Sequence, residues 1–156
     1  MTLLIDADWL IYSSCCACEQ DIRWDSNLHT LHADERDIHE MIDGRTAHYQ
    51  AIAEDKEDVV MCFTQYPTFR HTIYPEYKAN RKHKRKPLGL SKIIEQTRER
   101  YQSESYEGLE GDDVMAILAT SKKYPDPIIV SVDKDMRSVP CTLLAGDDME
   151  LITRRK

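Results

Sequence analysis

Leu3-Leu4-Ile5-Asp6-Ala7-Asp8 is a short apolar run that ends abruptly in acids. A run of this length bounded by polar residues reads as a buried strand, with Asp6 at its carboxyl end. Two further segments repeat the theme. Val59-Val60-Met61-Cys62-Phe63 is a second core strand, and Ile128-Ile129-Val130-Ser131-Val132 is a third that runs into Asp133 and Asp135. Trp9 to Ala17 reads as a helix. Asp34 is placed to cap a helix running to about Asp55, with Ile38, Met41 and Ile42 on one face. Ser91 is placed to cap another, running to about Gln102. Leu109 to Lys122 carries Val114, Ile117 and Leu118 at helical spacing. Residues 21–32 read as a hairpin turning at Asp25-Ser26-Asn27, and residues 143–152 as a strand–turn–strand hairpin with Asp147-Asp148 in the turn. Strands alternating with helices predict an α/β fold around a mostly parallel sheet, in one domain spanning residues 1–156.

Such sheets bind ligands at the carboxyl ends of their strands. There the sequence places Asp6 and Asp8, and Asp133 and Asp135. Glu110-Gly111-Asp112-Asp113 opens the 109–122 helix. Each cluster has an ordinary structural explanation. Asp6 and Asp8 suit a helix N-cap. Acids in a first turn are stabilised by the helix dipole. Asp133 and Asp135 suit a plain turn. Glu110 and Asp113 share a face at i, i+3, with Asp112 free to aim elsewhere. Three clusters converging on one region repel each other unless cations hold them, and hard divalent ions take oxygen ligands of this kind together with water and phosphate. The pattern points to metal-assisted chemistry on a phosphate ester. An Asp-x-Asp after a first strand also opens phosphatases with an aspartyl nucleophile, but the acid spacing such enzymes need downstream is missing after Gly146.

The formal charge of −7 conceals an asymmetry. Between Arg70 and Arg100 stand ten Lys and Arg against three acids, a local +7, which leaves −14 for the rest of the chain. The densest part, Tyr74 to Lys86, interleaves Tyr74 and Tyr77 with Lys78, Arg81, Lys82, Lys84, Arg85 and Lys86. A solvated basic loop has this composition. So does a surface that grips phosphates and stacks bases. No run approaches the ~20 apolar residues of a membrane span, and Met1-Thr2 leads straight into a strand. Five cysteines, an odd number with Cys15, Cys16 and Cys18 crowded together, fit free thiols in a reducing cytoplasm. Cys15-Cys16-Ala17-Cys18 lacks the second spaced pair that a zinc site needs.

Taken in order, Leu4-Ile5-Asp6-Ala7-Asp8-Trp9-Leu10-Ile11-Tyr12, Thr68-Phe69-Arg70 through Pro75-Glu76-Tyr77-Lys78-Ala79-Asn80-Arg81, Glu110-Gly111-Asp112-Asp113-Val114-Met115-Ala116 and Ser131-Val132-Asp133-Lys134-Asp135 resemble the 5′-nuclease family. That family includes bacteriophage 5′–3′ exonucleases, flap endonucleases and the 5′-nuclease domain of bacterial DNA polymerase I. The resemblance covers nearly the whole chain. It implies a PIN-like sheet with a basic arch and a C-terminal β-hairpin, and cleavage of DNA at 5′ ends or flaps with two Mg²⁺ or Mn²⁺ ions. Asp6, Glu110 and Asp112 would hold one ion, with Asp113, Asp133 and Asp135 serving the second ion or its waters. Such ions lie ~4 Å apart and clamp the attacking and leaving oxygens of an in-line displacement. Lys78 would act on the scissile phosphate, Tyr77 would stack on an unpaired base, and Arg70 and Arg81 would steer the backbone. The setting implied is cytoplasmic, that of the host for a phage-encoded protein.

Two departures from the family pattern stand out. An acid usual after the second core strand is absent where Phe63-Thr64-Gln65-Tyr66 stands. The helix–hairpin–helix element that binds duplex DNA in the family has no counterpart before Lys156. These departures keep open a DNA-binding remnant, or half of a split enzyme that needs a partner chain. RNA as substrate also remains open.

Overall fold

Why the acids meet is decided by the central strand. β1 (Thr2–Asp6) is buried along its whole length. It pairs in parallel with β4 (Asp58–Cys62) on one side and with β6 (Pro127–Val130) on the other. Beyond β4 lies β5 (Gln102–Glu104), parallel; beyond β6 lie β7 (Thr142–Ala145), parallel, and β8 (Glu150–Ile152), antiparallel. The order β5-β4-β1-β6-β7-β8 gives one mostly parallel sheet of six strands. The chain leaves β1 toward one edge and later returns to build the other, so the carboxyl end of β1 faces the crevice where open α/β sheets bind ligands. The computed structural model describes residues 1–54, 58–146 and 149–153.

Alternation along β1 sends side chains to opposite faces. Leu3 and Ile5 join a core with Leu10, Ile38, Ile42, Phe63 and Ile93. These come largely from α1 (Ala7–Cys18), α2 (Glu35–Ile52) and α4 (Leu90–Arg100). Leu4 joins Val60, Ile129, Val114, Met115 and Leu118 on the other face, covered by α5 (Gly111–Thr120). Helices on both faces of a mostly parallel sheet are the α/β architecture that the strand–helix alternation predicts.

Local chemistry sets the helix starts. Asp6 caps α1, its Oδ1 accepting the Trp9 N–H at 3.1 Å. Asp34 caps α2 through the Arg36 N–H at 2.8 Å. Ser91 does not cap α4: the N-cap is Gly89, whose φ of 74° only a glycine adopts freely, and Ser91 lies inside the helix. β5 is absent from the sequence reading because Gln102-Ser103-Glu104 has no apolar run; its strand character comes from pairing with β4. Segment 66–89 carries a short helix α3 (Phe69–Ile73) and a 3-10 turn over Ala79–Arg81, and it supplies Tyr66, Lys78 and Arg81 to the lining of the crevice. A two-stranded ribbon of β2 (Gln20–Arg23) and β3 (His29–His32) stands apart from the sheet, fully exposed. The β7–β8 hairpin forms as expected, while its Asp147-Asp148 turn and the Asp55 end expected for α2 fall outside the described residues. Cys15, Cys16, Cys18 and Cys62 are free thiols.

Candidate metal centre and nucleic-acid face

Asp6 occupies two roles at once. It caps α1, and its Oδ2 accepts a 3.2 Å hydrogen bond from Ser131 Oγ at the end of β6. Only 8% of the residue is exposed. Burial pushes its pKa up to about 6, against the Trp9 N–H, which works the other way. Asp112, in the first turn of α5, is pushed up to about 7 by burial and then by the charges of Asp6, Asp133 and Glu110. Four carboxylates from β1, the N-terminus of α5 and the loop after β6 thus repel each other across one crevice.

Asp8 belongs with them. Its Oδ2 accepts the Thr64 N–H at 2.9 Å. Thr64 Oγ1 in turn accepts the Gly111 N–H at 3.0 Å. This chain of bonds ties the end of β4 to α1 and to α5. Gly111 permits the approach: a Cβ there would lie 3.4 Å from both Asp8 Oδ2 and the Cys62 carbonyl. Burial raises the pKa of Asp8 as well. The sequence flags Asp8 only through the Asp-x-Asp pattern, and nothing local shows that it faces Thr64. Ser131 is a second residue that the sequence hides, being read as part of a strand; β6 stops at Val130, which frees the Ser131 hydroxyl to hold Asp6 and to accept the Asp133 N–H at 3.1 Å.

The six expected metal-binding carboxylates do not behave alike. Asp6, Glu110, Asp112 and Asp133 line one cavity of about 640 Å³. Asp113 turns aside, with both oxygens held by Arg70 at 2.6 and 2.9 Å. One of them also accepts the Glu110 N–H at 3.2 Å, half of a capping box. The Arg70 hydrogen bonds hold the Asp113 carboxyl below its usual pKa. Asp135 is exposed on the 3-10 turn after Asp133, outside the cavity lining, and its N–H bonds to Asp133 Oδ1 at 2.9 Å. Among the described residues no group of three or more His, Cys, Asp or Glu side chains is gathered into a ready-made metal cage. Glu110 shows why. Its oxygens take Lys78 Nζ at 3.0 Å, the Tyr77 hydroxyl at 3.4 Å and the Arg70 guanidinium at 3.4 Å. Protein cations thus neutralise its charge. The donors themselves, all carboxylate oxygens in a half-buried, mutually repelling set, fit a hard divalent ion.

Basic residues make up a second wall of the crevice. Lys78, Arg81, Lys84, Arg85 and Lys86 line the same cavity as the carboxylates. Lys78 sits at φ 54°, in the left-handed region that non-glycine residues rarely adopt, and the turn directs its ammonium to Glu110. Such strain gathers at functional positions. Lys82 is exposed but outside the lining. Arg85 is paired with Glu19. Arg70, expected to steer the backbone, has both terminal nitrogens bonded to Asp113. Among the described residues no helix is long and apolar enough to cross a membrane.

The model of the 5′–3′ exonuclease N-terminal, resolvase-like domain matches residues 1–153. The exodeoxyribonuclease of Enterobacteria phage T3 is 28% identical over 163 residues, 99% of this chain and 54% of that one. The exonuclease of Escherichia phage T7 is 29% identical over 146 residues, 88% of this chain and 49% of that one. The chain therefore spans about half the length of the curated relatives it matches. The fold is also that of the T5 5′-exonuclease solved with zinc ions bound: TM-score 0.63 over 97% of this chain and 57% of that one, at 13% identity. With the matched model extending over nearly all of its length, this chain belongs to the 5′–3′ exonuclease family through that N-terminal resolvase-like domain.

Proposed function

We propose that this chain forms the catalytic domain of a divalent-metal-dependent 5′–3′ nuclease that hydrolyses phosphodiester bonds of DNA at 5′ ends or flaps. One observation carries the reading: buried and half-buried carboxylates and a set of basic side chains line the same cavity, as a metal-assisted phosphodiesterase acting on a polyanion requires. Asp6, Glu110, Asp112 and Asp133 would hold Mg²⁺ or Mn²⁺, with Asp113 and Asp135 joining on rearrangement. Ions bound there would supply charge neutralisation and Lewis-acid activation for the displacement.

The rest is work for the chain's own residues. Ser131 and the Trp9 N–H fix the Asp6 carboxylate. The Thr64 N–H fixes Asp8. Lys78, 3.0 Å from Glu110, is within reach of a phosphate drawn into the cavity and would stabilise the charge that develops on it. Arg81, Lys84 and Lys86 would hold the flanking phosphates. For a phosphate to enter, Lys78 must exchange Glu110 for the substrate, which frees Glu110 for a metal.

A second reading has a specific observation behind it. With Lys78 and Arg70 neutralising Glu110 and Asp113, and neutral Gln65 in the loop after β4, the chain could bind DNA without cutting it unless a partner chain completes it. Cleavage of a 5′-labelled flapped duplex in Mg²⁺ or Mn²⁺ decides between them, beside Asp112→Asn and an EDTA control. Metal-dependent cutting lost in the variant supports the nuclease. Binding with no cutting in any metal leaves the DNA-binding reading in possession.

A further inference from the structure

We propose that Tyr66, backed by His71, is a stacking platform for an unpaired base next to the scissile phosphate. This rests on the nuclease reading above. Tyr66 is 73% exposed, yet it lines the cavity that holds Asp6, Lys78 and Glu110. A lone exposed aromatic needs no explanation. This one is held. Its ring meets His71 edge-on, with centroids 5.9 Å apart and planes at 63°. His71 meets Tyr77 edge-on in turn, at 5.5 Å and 80°. Lys78 Nζ lies 4.9 Å from the Tyr77 ring centre. Aromatic pairs favour such edge-to-face geometry.

The support runs deeper. His71 Nδ1 and the fully buried Thr68 Oγ1 share a 2.7 Å hydrogen bond. The loop backbone is pinned on both sides of Tyr66, by the Gln65 N–H to the Leu109 carbonyl at 3.0 Å and by the Phe69 N–H to the Gly108 carbonyl at 2.7 Å. A ring exposed to water but fixed in orientation loses little freedom when a base stacks on it, so its stacking is preorganised. The edge-to-face row leads from Tyr66 toward Lys78, and both line the cavity, so an aromatic surface shares the crevice with the group that would meet the phosphate. The ligand class is an unpaired nucleotide of any sequence, because every base has a π-face.

The test uses a flapped duplex with 2-aminopurine at the unpaired nucleotide nearest the junction, bound by the Asp112→Asn protein and by the same protein carrying Tyr66→Phe or Tyr66→Ala. Tyr66→Phe should keep both affinity and fluorescence quenching. Tyr66→Ala should lose quenching and bind on the order of tenfold more weakly, with unchanged affinity for a blunt duplex that has no unpaired nucleotide. Affinity and quenching equal to the parent's in Tyr66→Ala overturn the platform while leaving the nuclease reading intact. Weaker binding with quenching retained also overturns it, since the base then stacks elsewhere. If the Asp112→Asn parent binds none of these DNAs, the nuclease reading fails and the platform with it.

Discussion

The two walls of the crevice are built by opposite means. The carboxylate wall rests on strand ends and the first turn of a helix: Asp6 follows a strand with no exposed residue, and Glu110 is as buried as Asp6. The basic wall is a connection carried by one short helix and a 3-10 turn, and every residue from Arg81 to Lys86 is exposed. The first wall is held by packing and the second by charge. On the proposed nuclease reading, the difference would suit a site that keeps its metal donors in register while its phosphate-binding groups adapt to a polymer. It also means that the two walls should fail differently when altered.

The largest effect belongs to the rigid wall. Asp112→Asn should lower metal-dependent cleavage by more than the roughly 100-fold typical of losing a group that only orients a ligand, while affinity for a flapped duplex stays within a few-fold. Asp133→Asn should behave the same way. Equal loss of binding and cleavage in either variant would break the division of labour between the walls. Lys78→Ala comes next. It should cost cleavage about 10²–10³-fold, the scale for removing one group that stabilises transition-state charge, and it should weaken binding too, because Lys78 sits in the basic wall. The readouts are single-turnover cleavage and equilibrium binding on the same substrate.

The walls also differ in how far a sequence can describe them. β1, β4 and β6 announce themselves as apolar runs, and the acids at their ends and at the start of α5 are visible without a structure. Asp34 and Glu110 are legible as helix starts because side-chain capping is a local interaction. What escapes is anything set by a distant partner. Ser131 reads as one more strand residue until β6 ends and exposes its hydroxyl to Asp6. β5 exists only because β4 offers an edge. The expectation that Arg70 steers DNA and Asp113 serves a metal misses their bidentate pair across 43 positions of sequence, because no spacing rule relates an arch residue to a helix cap. Charge runs reveal that a basic wall exists but not which acids it answers.

The next prediction tests the strain within the carboxylate wall. The pKa values of Asp6 and Asp112, about 6 and about 7, lie above the unfolded value of ~3.9. Between those limits the folded protein binds more protons than the unfolded one, so these two groups make stability fall as pH rises from about 4 to about 7 and level off above that. Asp113 has the opposite sign: its lowered pKa adds stability that is lost only below the ordinary carboxylate range, so it contributes a constant amount between pH 5 and 8. Thermal unfolding in EDTA should therefore give a Tm several degrees lower at pH 8 than at pH 5. Mg²⁺ should recover much of the loss at pH 8 and little at pH 5, where protons already screen the repulsion. A Tm that is flat across this range, or rises, removes the case for buried, mutually repelling carboxylates in the crevice.

The smallest effect separates the two walls most cleanly, because Arg70 and Asp113 join them. Their two hydrogen bonds are short and parallel, the geometry that makes Arg–carboxylate pairs strong. Yet Arg70 is 31% exposed and Asp113 25%, so water weakens what burial would strengthen. Removing the guanidinium leaves a helix-capping carboxylate that still accepts the Glu110 N–H. Arg70→Gln should then cost roughly 1 kcal/mol of unfolding free energy, the value of one ordinary net hydrogen bond, because water screens the pair. Asp113→Asn should cost a similar amount, and the double variant should be well short of the sum, since both singles break the same bond. If Arg70 serves mainly to anchor the arch, Arg70→Gln should weaken DNA binding no more than Asp113→Asn does. A much larger binding loss in Arg70→Gln alone would mean that its guanidinium leaves Asp113 for phosphate, and the joint between the walls would itself be part of the DNA-binding surface.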